Sequence, residues 1–219
     1  MQIKVLRNIL EANDRISEDL RRRFKDQGIL VLNLISSPGS GKTSLLERTL
    51  TDLKGEFKMA VIEGDVLTDN DARRVAATGA QAVQINTDGA CHLDGSMVLE
   101  ALGSLDLDGL DILFVENVGN LVCPAEFEVG EDAKVAVLSV TEGDDKPEKY
   151  PLLFSESEVM VLNKVDLLPY VDFDMDTASR FAKGLNNDIH IFPLSCKTGE
   201  GAENWYAWLR KALAAKRAK

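Results

Sequence analysis

The chain has few cysteines and histidines, no long apolar run and no excess of positive charge, and each shortage excludes a class of protein. Three cysteines in 219 residues, Cys91, Cys123 and Cys196, are too few and too scattered for a disulfide framework. Uninterrupted apolar runs such as those at 29–32 and 112–115 fall far short of the ~20 residues that a membrane-spanning helix requires. Charge begins at Lys4, which leaves no signal-peptide core, and the expected compartment is the cytosol. The 36 acidic side chains outnumber the 25 basic ones, giving a net charge of −11. Most of such a surface repels phosphates and anionic lipid, so neither nucleic acid nor membrane is expected as a partner. The basic run Arg21-Arg22-Arg23 is offset in sequence by Glu18, Asp19 and Asp26.

With 45% hydrophobic and 28% charged residues, the composition is that of a soluble α/β protein with enough chain to cover a sheet on both faces. Leu6, Ile9, Leu10, Ile16, Leu20 and Phe24 recur at helical spacing, which predicts an amphipathic helix ended by Gly28. The expected organisation is an N-terminal helix, residues 1–27, packed on a domain of residues 28–219 with an embedded metal site. Apolar runs at 29–35, 59–62, 82–85, 112–115, 135–140, 159–162 and 189–193 read as strands, with helical stretches between most of them and a last helix over 202–215. Strands apolar throughout and separated by helices indicate a mostly parallel central sheet with helices on both faces. The segment 141–151 is the longest polar loop and carries Lys146 and Lys149.

Ser36-Ser37-Pro38-Gly39-Ser40-Gly41-Lys42-Thr43 follows the first strand and opens a helix that continues through Ser44. Its second half is a P-loop; the first position is Ser36 where glycine is usual. Gly39 and Gly41 let the backbone turn its N–H groups toward phosphate oxygens, Lys42 reaches the β- and γ-phosphates, and Thr43 offers a hydroxyl to Mg²⁺. Carboxylates are expected at the ends of neighbouring strands, where ligands sit in open α/β sheets. Glu63-Gly64-Asp65 and Glu116-Asn117-Val118-Gly119 supply them. The second resembles the Asp-x-x-Gly element whose glycine senses the γ-phosphate, with Glu in place of Asp, so Glu116 contacts Mg²⁺ directly or through water. Asp65 is a magnesium and hydrolysis candidate with Lys42 and Glu116, or else a turn residue. Asn120 stands where some GTPases carry a water-orienting glutamine.

Asn163-Lys164-Val165-Asp166 closes a later strand. The Asp166 carboxylate can accept from the guanine ring N–H and its amino group, whereas adenine would leave it unpaired. Lys164 can cover the base plane, Asn163 can tie this loop to the P-loop, and Ser195-Cys196-Lys197 looks like the Ser-Ala-Lys loop that supports the base, with Cys196 as a packing residue. Cys91 and His92 are adjacent ahead of a helix predicted near Leu93, whose N-terminus would favour a thiolate, and Cys123-Pro124 lies farther on. By spacing alone these thiols are metal ligands or packed side chains. His190 alternates with Ile189 and Ile191 as a surface strand residue.

Taken together, the P-loop, Glu63-Gly64-Asp65, Gly89-Ala90-Cys91-His92-Leu93, the run from Glu116-Asn117-Val118-Gly119 to Cys123-Pro124, Thr141-Glu142-Gly143-Asp144-Asp145-Lys146-Pro147 and Asn163-Lys164-Val165-Asp166 give residues 5–211 a specific likeness. The chain resembles the HypB family of SIMIBI-class, hydrogenase-maturation GTPases. The resemblance implies a GTP-dependent homodimer that binds GTP or GDP with Mg²⁺ and helps insert nickel into [NiFe] hydrogenase. A nickel-delivery partner and the hydrogenase large subunit are its implied associates. It also implies that Cys91, His92 and Cys123 hold Ni²⁺ or Zn²⁺; Lys146 either reaches the nucleotide across a GTP-bound dimer or is a solvated loop lysine. Some members add an N-terminal cysteine motif or a histidine-rich stretch; residues 1–90 contain neither residue type, so nickel storage of that sort is not expected. The related urease GTPase UreG carries Cys-Pro-His, unlike Cys91-His92 here, which favours the hydrogenase branch. The rival readings are that urease branch, a P-loop small-molecule kinase with structural zinc, and a regulatory GTPase with packed cysteines.

Guanine selectivity therefore rests on Asp166. GTP is expected to bind far more tightly than ATP, and Asp166→Asn to shift preference toward xanthosine nucleotides, whose extra carbonyl faces the new amide. Equal affinity of the unaltered protein for ATP and GTP in a competition assay would refute the assignment.

Overall fold

Each apolar run forms a strand, and every strand is parallel to its neighbours. In this computed structural model the strands are β1 (Leu30–Ser36), β2 (Met59–Asp65), β3 (Gln81–Asn86), β4 (Ile112–Glu116), β5 (Ala133–Ser139), β6 (Val159–Asn163) and β7 (His190–Pro193), in the spatial order β3-β2-β4-β1-β5-β6-β7. The structure describes the backbone of residues 2–65 and 70–218 and the side chains of residues 10–65 and 71–218, so Leu6 and Ile9 of the predicted stripe lie outside the described side chains. The inner strands β1, β4, β5 and β6 are buried at every position, as parallel strands covered on both faces must be.

Alternation along β1 divides the core. Leu30, Leu32 and Leu34 face one layer, where Leu46 of α2 (Lys42–Leu53) and Trp205 of α9 (Ala202–Arg217) pack with them. Val31 faces the other, with Leu20 and Phe24 of α1 (Gln2–Asp26) and Val98 of α4 (Gly95–Ala101). Ile35 joins Leu138, Phe154 of α7 (Pro151–Ser155) and Ala182 of α8 (Met175–Leu185). A short helix α3 (Asn70–Ala76) precedes β3, and α5 (Cys123–Glu126) follows β4. Among the described residues no helix is long and apolar enough to cross a membrane.

Two local expectations need correction. The segment read as a polar loop folds partly into α6 (Lys146–Lys149) and leads directly into α7, each begun by a proline in its first turn; proline pre-sets the backbone there without losing a needed N–H. The helix expected at Leu93 starts at Gly95, because Asp94 caps it by accepting from Met97 N at 2.9 Å. Arg22 pairs with Asp19, one of the acids that offset the basic run in sequence, and Arg21 pairs across the fold with Glu128 at 2.8 Å.

The parallel arrangement brings Ser36, Asp65, Glu116, Ser139 and Asn163, the last residues of β1, β2, β4, β5 and β6, to one edge of the sheet. Gly201 anchors the opening of α9 with φ at 73°, and a Cβ there would stand 2.1 Å from the Pro193 carbonyl oxygen. Gly201→Ala is expected to remove at least about 2 kcal/mol, since left-handed backbone and clash add. Gly103→Ala, where nothing lies within 4 Å, should stay within about 0.5 kcal/mol. Chemical denaturation measures both, and equal losses would contradict the account.

Candidate functional site

The sheet edge opens into two adjoining cavities that share Ser44 and Lys164. One, of about 490 Å³, is lined by Gly39, Gly41, Lys42, Thr43 and the acidic ends of β2 and β4; the other, of about 520 Å³, by Asn163, Asp166, Cys196 and Lys197. The first suits a chain of phosphates and the second a planar base.

In the first, Gly39 and Gly41 have φ of 79° and 102°. The departure at Ser36 has a local reason: its hydroxyl accepts from Lys42 Nζ at 2.9 Å and donates to the Ser37 carbonyl at 2.7 Å. Burial lowers the Lys42 pKa, opposed first by Glu116. The serine thus holds the cation at the mouth of its own loop. The Ser40 hydroxyl, with one proton to give, lies within hydrogen-bond distance of both the Ser37 carbonyl and Glu142 Oε1, and Glu142 also accepts from Ser139 N. Lys146 Nζ lies 3.5 Å from Ser37 Oγ and 3.8 Å from Glu142 Oε2 of its own chain.

Register pairs Glu63 directly with Glu116. Both are buried, and Glu116 Oε1 accepts from Thr43 Oγ1 at 2.8 Å. Burial raises Glu63 to about 8, with Glu116 adding to the rise, and raises Glu116 to about 7 against the pull of Lys42 and Thr43. One oxygen of each, Oε2, has no hydrogen-bond partner among the described residues. Two buried carboxyls and a hydroxyl make an all-oxygen set suited to a hard divalent cation, and Asp65 lines the same cavity. Gly119 packs on this loop so tightly that a Cβ would meet Pro38 Cγ at 2.9 Å.

In the second cavity Asn163 is the hub. Its Nδ2 donates to the Ser40 carbonyl at 3.0 Å, and its Oδ1 accepts from Lys164 N at 2.7 Å and Cys196 N at 3.2 Å. Lys164, itself at positive φ, donates to the Gly39 carbonyl at 2.7 Å. Ser195 Oγ donates to Asp166 Oδ1 at 2.6 Å, which orients the carboxylate. Burial pushes the Cys196 thiol up to about 12, so it stays protonated and serves as wall.

Cys91, His92 and Cys123 come together beside this edge: one ligand atom from each lies within 4.8 Å of the others. Cys91 Sγ is 3.7 Å from His92 Nδ1, and the imidazole is stacked on Phe127 with centroids 3.8 Å apart. Burial lowers the His92 pKa, a shift toward the neutral ring that a metal requires. The expectation of a thiolate favoured by a helix N-terminus fails for Cys91, because α4 begins four residues later, and the neighbouring Cys123 raises the Cys91 pKa. The ligand segments are tied to the loop after β4. Asn120 Nδ2 donates to the Cys91 carbonyl at 3.1 Å, and Asn117 Oδ1 accepts from Leu93 N at 3.0 Å.

Sequence reasoning gave no role to Glu142, Phe127 or the two asparagines, and named Glu63 without assigning it one. Glu63 was readable as a second carboxylate at the end of β2; the others depend on contacts across the fold.

A P-loop after β1, acidic strand ends beside it and Asn-Lys-x-Asp after β6 define a P-loop GTPase. The model of the CobW/HypB/UreG nucleotide-binding domain matches residues 30–193, and the chain belongs to that family. It is 53% identical over 210 residues to the hydrogenase maturation factor HypB of Azotobacter vinelandii, covering 95% of this chain and 69% of that one. To the HypB of Escherichia coli strain K12 it is 54% identical over 202 residues, covering 92% and 70%. The crystal structure of HypB from Helicobacter pylori in complex with nickel superposes with a TM-score of 0.89 at 37% identity, covering 94% of this chain and 97% of that one.

Because the unfolded Glu63 carboxyl ionises near 4.5 and the folded one only near 8, the folded state binds more protons between those values. The metal-free protein loses stability as pH rises through that window. Glu63→Gln is expected to raise the melting temperature of metal-free protein, with a gain that grows from pH 5 to 8, and to weaken magnesium-dependent GTP turnover. A gain independent of pH would contradict the buried charge as its cause.

Proposed function

We propose that the chain is a GTP-hydrolysing metallochaperone that binds nickel, or zinc, at Cys91, His92 and Cys123 and assists nickel insertion into [NiFe] hydrogenase. The observation that carries this reading is the pair of hydrogen bonds from Asn117 and Asn120 that join the ligand segment to the Glu116–Gly119 loop. The nickel-bound relative supports the choice of ion. Sulfur and imidazole donors suit nickel(II) and zinc(II), which differ in preferred geometry.

Gly39, Ser40, Gly41 and Lys42 hold the phosphates, and Asn163, Lys164, Asp166, Ser195, Cys196 and Lys197 hold guanine, with Ser44 between them. Thr43, Asp65, Glu116 and the added Glu63 provide the oxygen donors for Mg²⁺, which when bound neutralises charge on the β- and γ-phosphates. Water attacks the γ-phosphorus, the bond to the β-phosphate oxygen breaks, and GDP and phosphate result. Lys42 stabilises the charge that develops. Loss of the γ-phosphate frees Gly119, and the asparagine ties pass that shift to Cys91 and, along the same loop, to Cys123.

Three protein ligands leave a tetrahedral ion one short, so water or a second chain completes it. In this reading residues 1–27 are an N-terminal unit, carrying α1 (Gln2–Asp26), on the GTPase domain of residues 28–219. The molecule forms a GTP-dependent homodimer in the cytoplasm, Lys146 swings from Ser37 to a nucleotide across it, and a nickel-delivery protein and the hydrogenase large subunit are its partners.

Nickel and zinc titrations with GDP and with a non-hydrolysable GTP analogue, followed by light scattering on the same samples, test this. Nickel affinity should differ between nucleotide states by roughly 5- to 150-fold, the usual range of allosteric coupling. Cys123→Ser should abolish the difference and leave GTP binding intact. Identical affinities in both states would overturn the mechanism, and a strict monomer with analogue and metal would overturn the dimer.

A further inference from the structure

The first helix touches neither cavity, yet its buried polar face is joined to both segments that carry the metal ligands. Asn13 is 6% exposed. Its Oδ1 accepts from Gly95 N at 2.8 Å, three residues after His92, and its Nδ2 donates to the Glu128 carbonyl at 2.9 Å, next to the Phe127 ring that stacks on His92. Ser17 is fully buried and donates to the same carbonyl at 2.7 Å.

Backbone packing gives an independent reason to read this as a built joint. A Cβ on Gly95 would stand 2.9 Å from Ser17 Oγ and 3.2 Å from Asn13 Oδ1. A Cβ on Gly130, which has φ of 83°, would stand 2.6 Å from Leu20 Cβ. The helix therefore lies in a saddle whose two sides are glycine backbones, one following Cys91-His92 and the other following Cys123. An apolar helix face alone would need neither a buried amide nor two glycines at these points. A carboxamide with one donor and one acceptor used on two different segments sets the distance between them.

We propose that α1 is a positioning element for the Cys91–His92–Cys123 site, with Asn13 as the joint that fixes the spacing of its two halves. The proposal rests on the metal reading given above. A ligand set whose halves come from separate loops gains its geometry from whatever holds those loops together. A force applied along α1, such as the docking of another protein on its exposed side, reaches the ion without passing through the nucleotide.

The test compares the full chain with Asn13→Ala, Ser17→Ala and Phe24→Leu, the last cutting into the same helix's core contact away from the joint. Nickel affinity is measured by titration, ligand geometry by the thiolate-to-metal charge-transfer spectrum of the cobalt(II) form, GTP-analogue affinity by competition, and stability by melting. Asn13→Ala should weaken nickel binding about tenfold and shift the cobalt spectrum while analogue affinity stays unchanged; Ser17→Ala should do the same to a lesser degree. Phe24→Leu should lower the melting temperature and leave nickel affinity and spectrum as they were. If Asn13→Ala does not fold, Ser17→Ala decides alone. An unaltered cobalt spectrum, or equal loss of metal affinity in Phe24→Leu, overturns the proposal while the site stands. If the unaltered chain binds nickel no better than Cys123→Ser, the site reading itself fails and the proposal with it.

Discussion

The carboxamide of Asn163 is the contact on which the rest of the nucleotide site depends. It is buried at the end of β6 and holds the Ser40 carbonyl, Lys164 N and Cys196 N at once. Three loops that follow three different strands therefore share one reference point. The geometry leaves no slack: a Cβ on Gly41 would stand 2.3 Å from Asn163 Nδ2. Glycine at that position serves the approach of a side chain from across the sheet as well as the turn itself. A parallel sheet supplies the common edge; Asn163 converts adjacency into a fixed distance between the phosphate loop and the loops after β6 and β7.

A second buried amide explains an oddity in β1. Asn33 interrupts an otherwise apolar strand and is fully buried. It donates to Glu131 Oε1 at 3.3 Å and accepts from Asn117 Nδ2 at 3.2 Å. Asn117 in turn accepts from Leu93 N and from Val118 N. A satisfied chain of polar groups thus crosses the core from the turn before β5 to the loop after β4 and on to the backbone of Leu93, next to His92. Buried polar groups are costly when left unpaired and rigid when paired, so this chain holds the segment around Asn117 in one arrangement until something displaces it.

The sheet was legible in the sequence because its inner strands are buried on both faces and are apolar at most positions, with Asn33 in β1 and Lys134 in β5 as interior exceptions. The nucleotide motifs were legible because Lys42, Thr43, Asn163 and Asp166 act through local order and short spacing. Less was readable where the physics is short or distant. Four-residue helices such as α5 and α6 have no periodicity to detect and are fixed by proline and by tertiary contact. The distance between Asn13 and Glu128 in sequence hides a hydrogen bond of 2.9 Å. Glu142 lies three residues beyond the end of β5 and resembles any loop carboxylate until Ser40 is found against it. Cys91, His92 and Cys123 illustrate both cases: the first two are neighbours in the chain, but only the turn after β4 brings the third within reach.

If Cys91, His92 and Cys123 hold nickel as proposed, the stacking of His92 on Phe127 bears on how fast the ion is captured. A free histidine samples several rotamers and must give up that freedom when it coordinates. Here the ring is already held flat against a neighbour, so its torsional entropy is lost on folding and not on binding. An arriving ion meets one ligand in place and has only the two thiols to gather, and Cys91 is exposed enough to be met first. In that proposed role the pre-set imidazole would favour rapid uptake from a dilute pool, leaving residence time to be governed by the sulfurs.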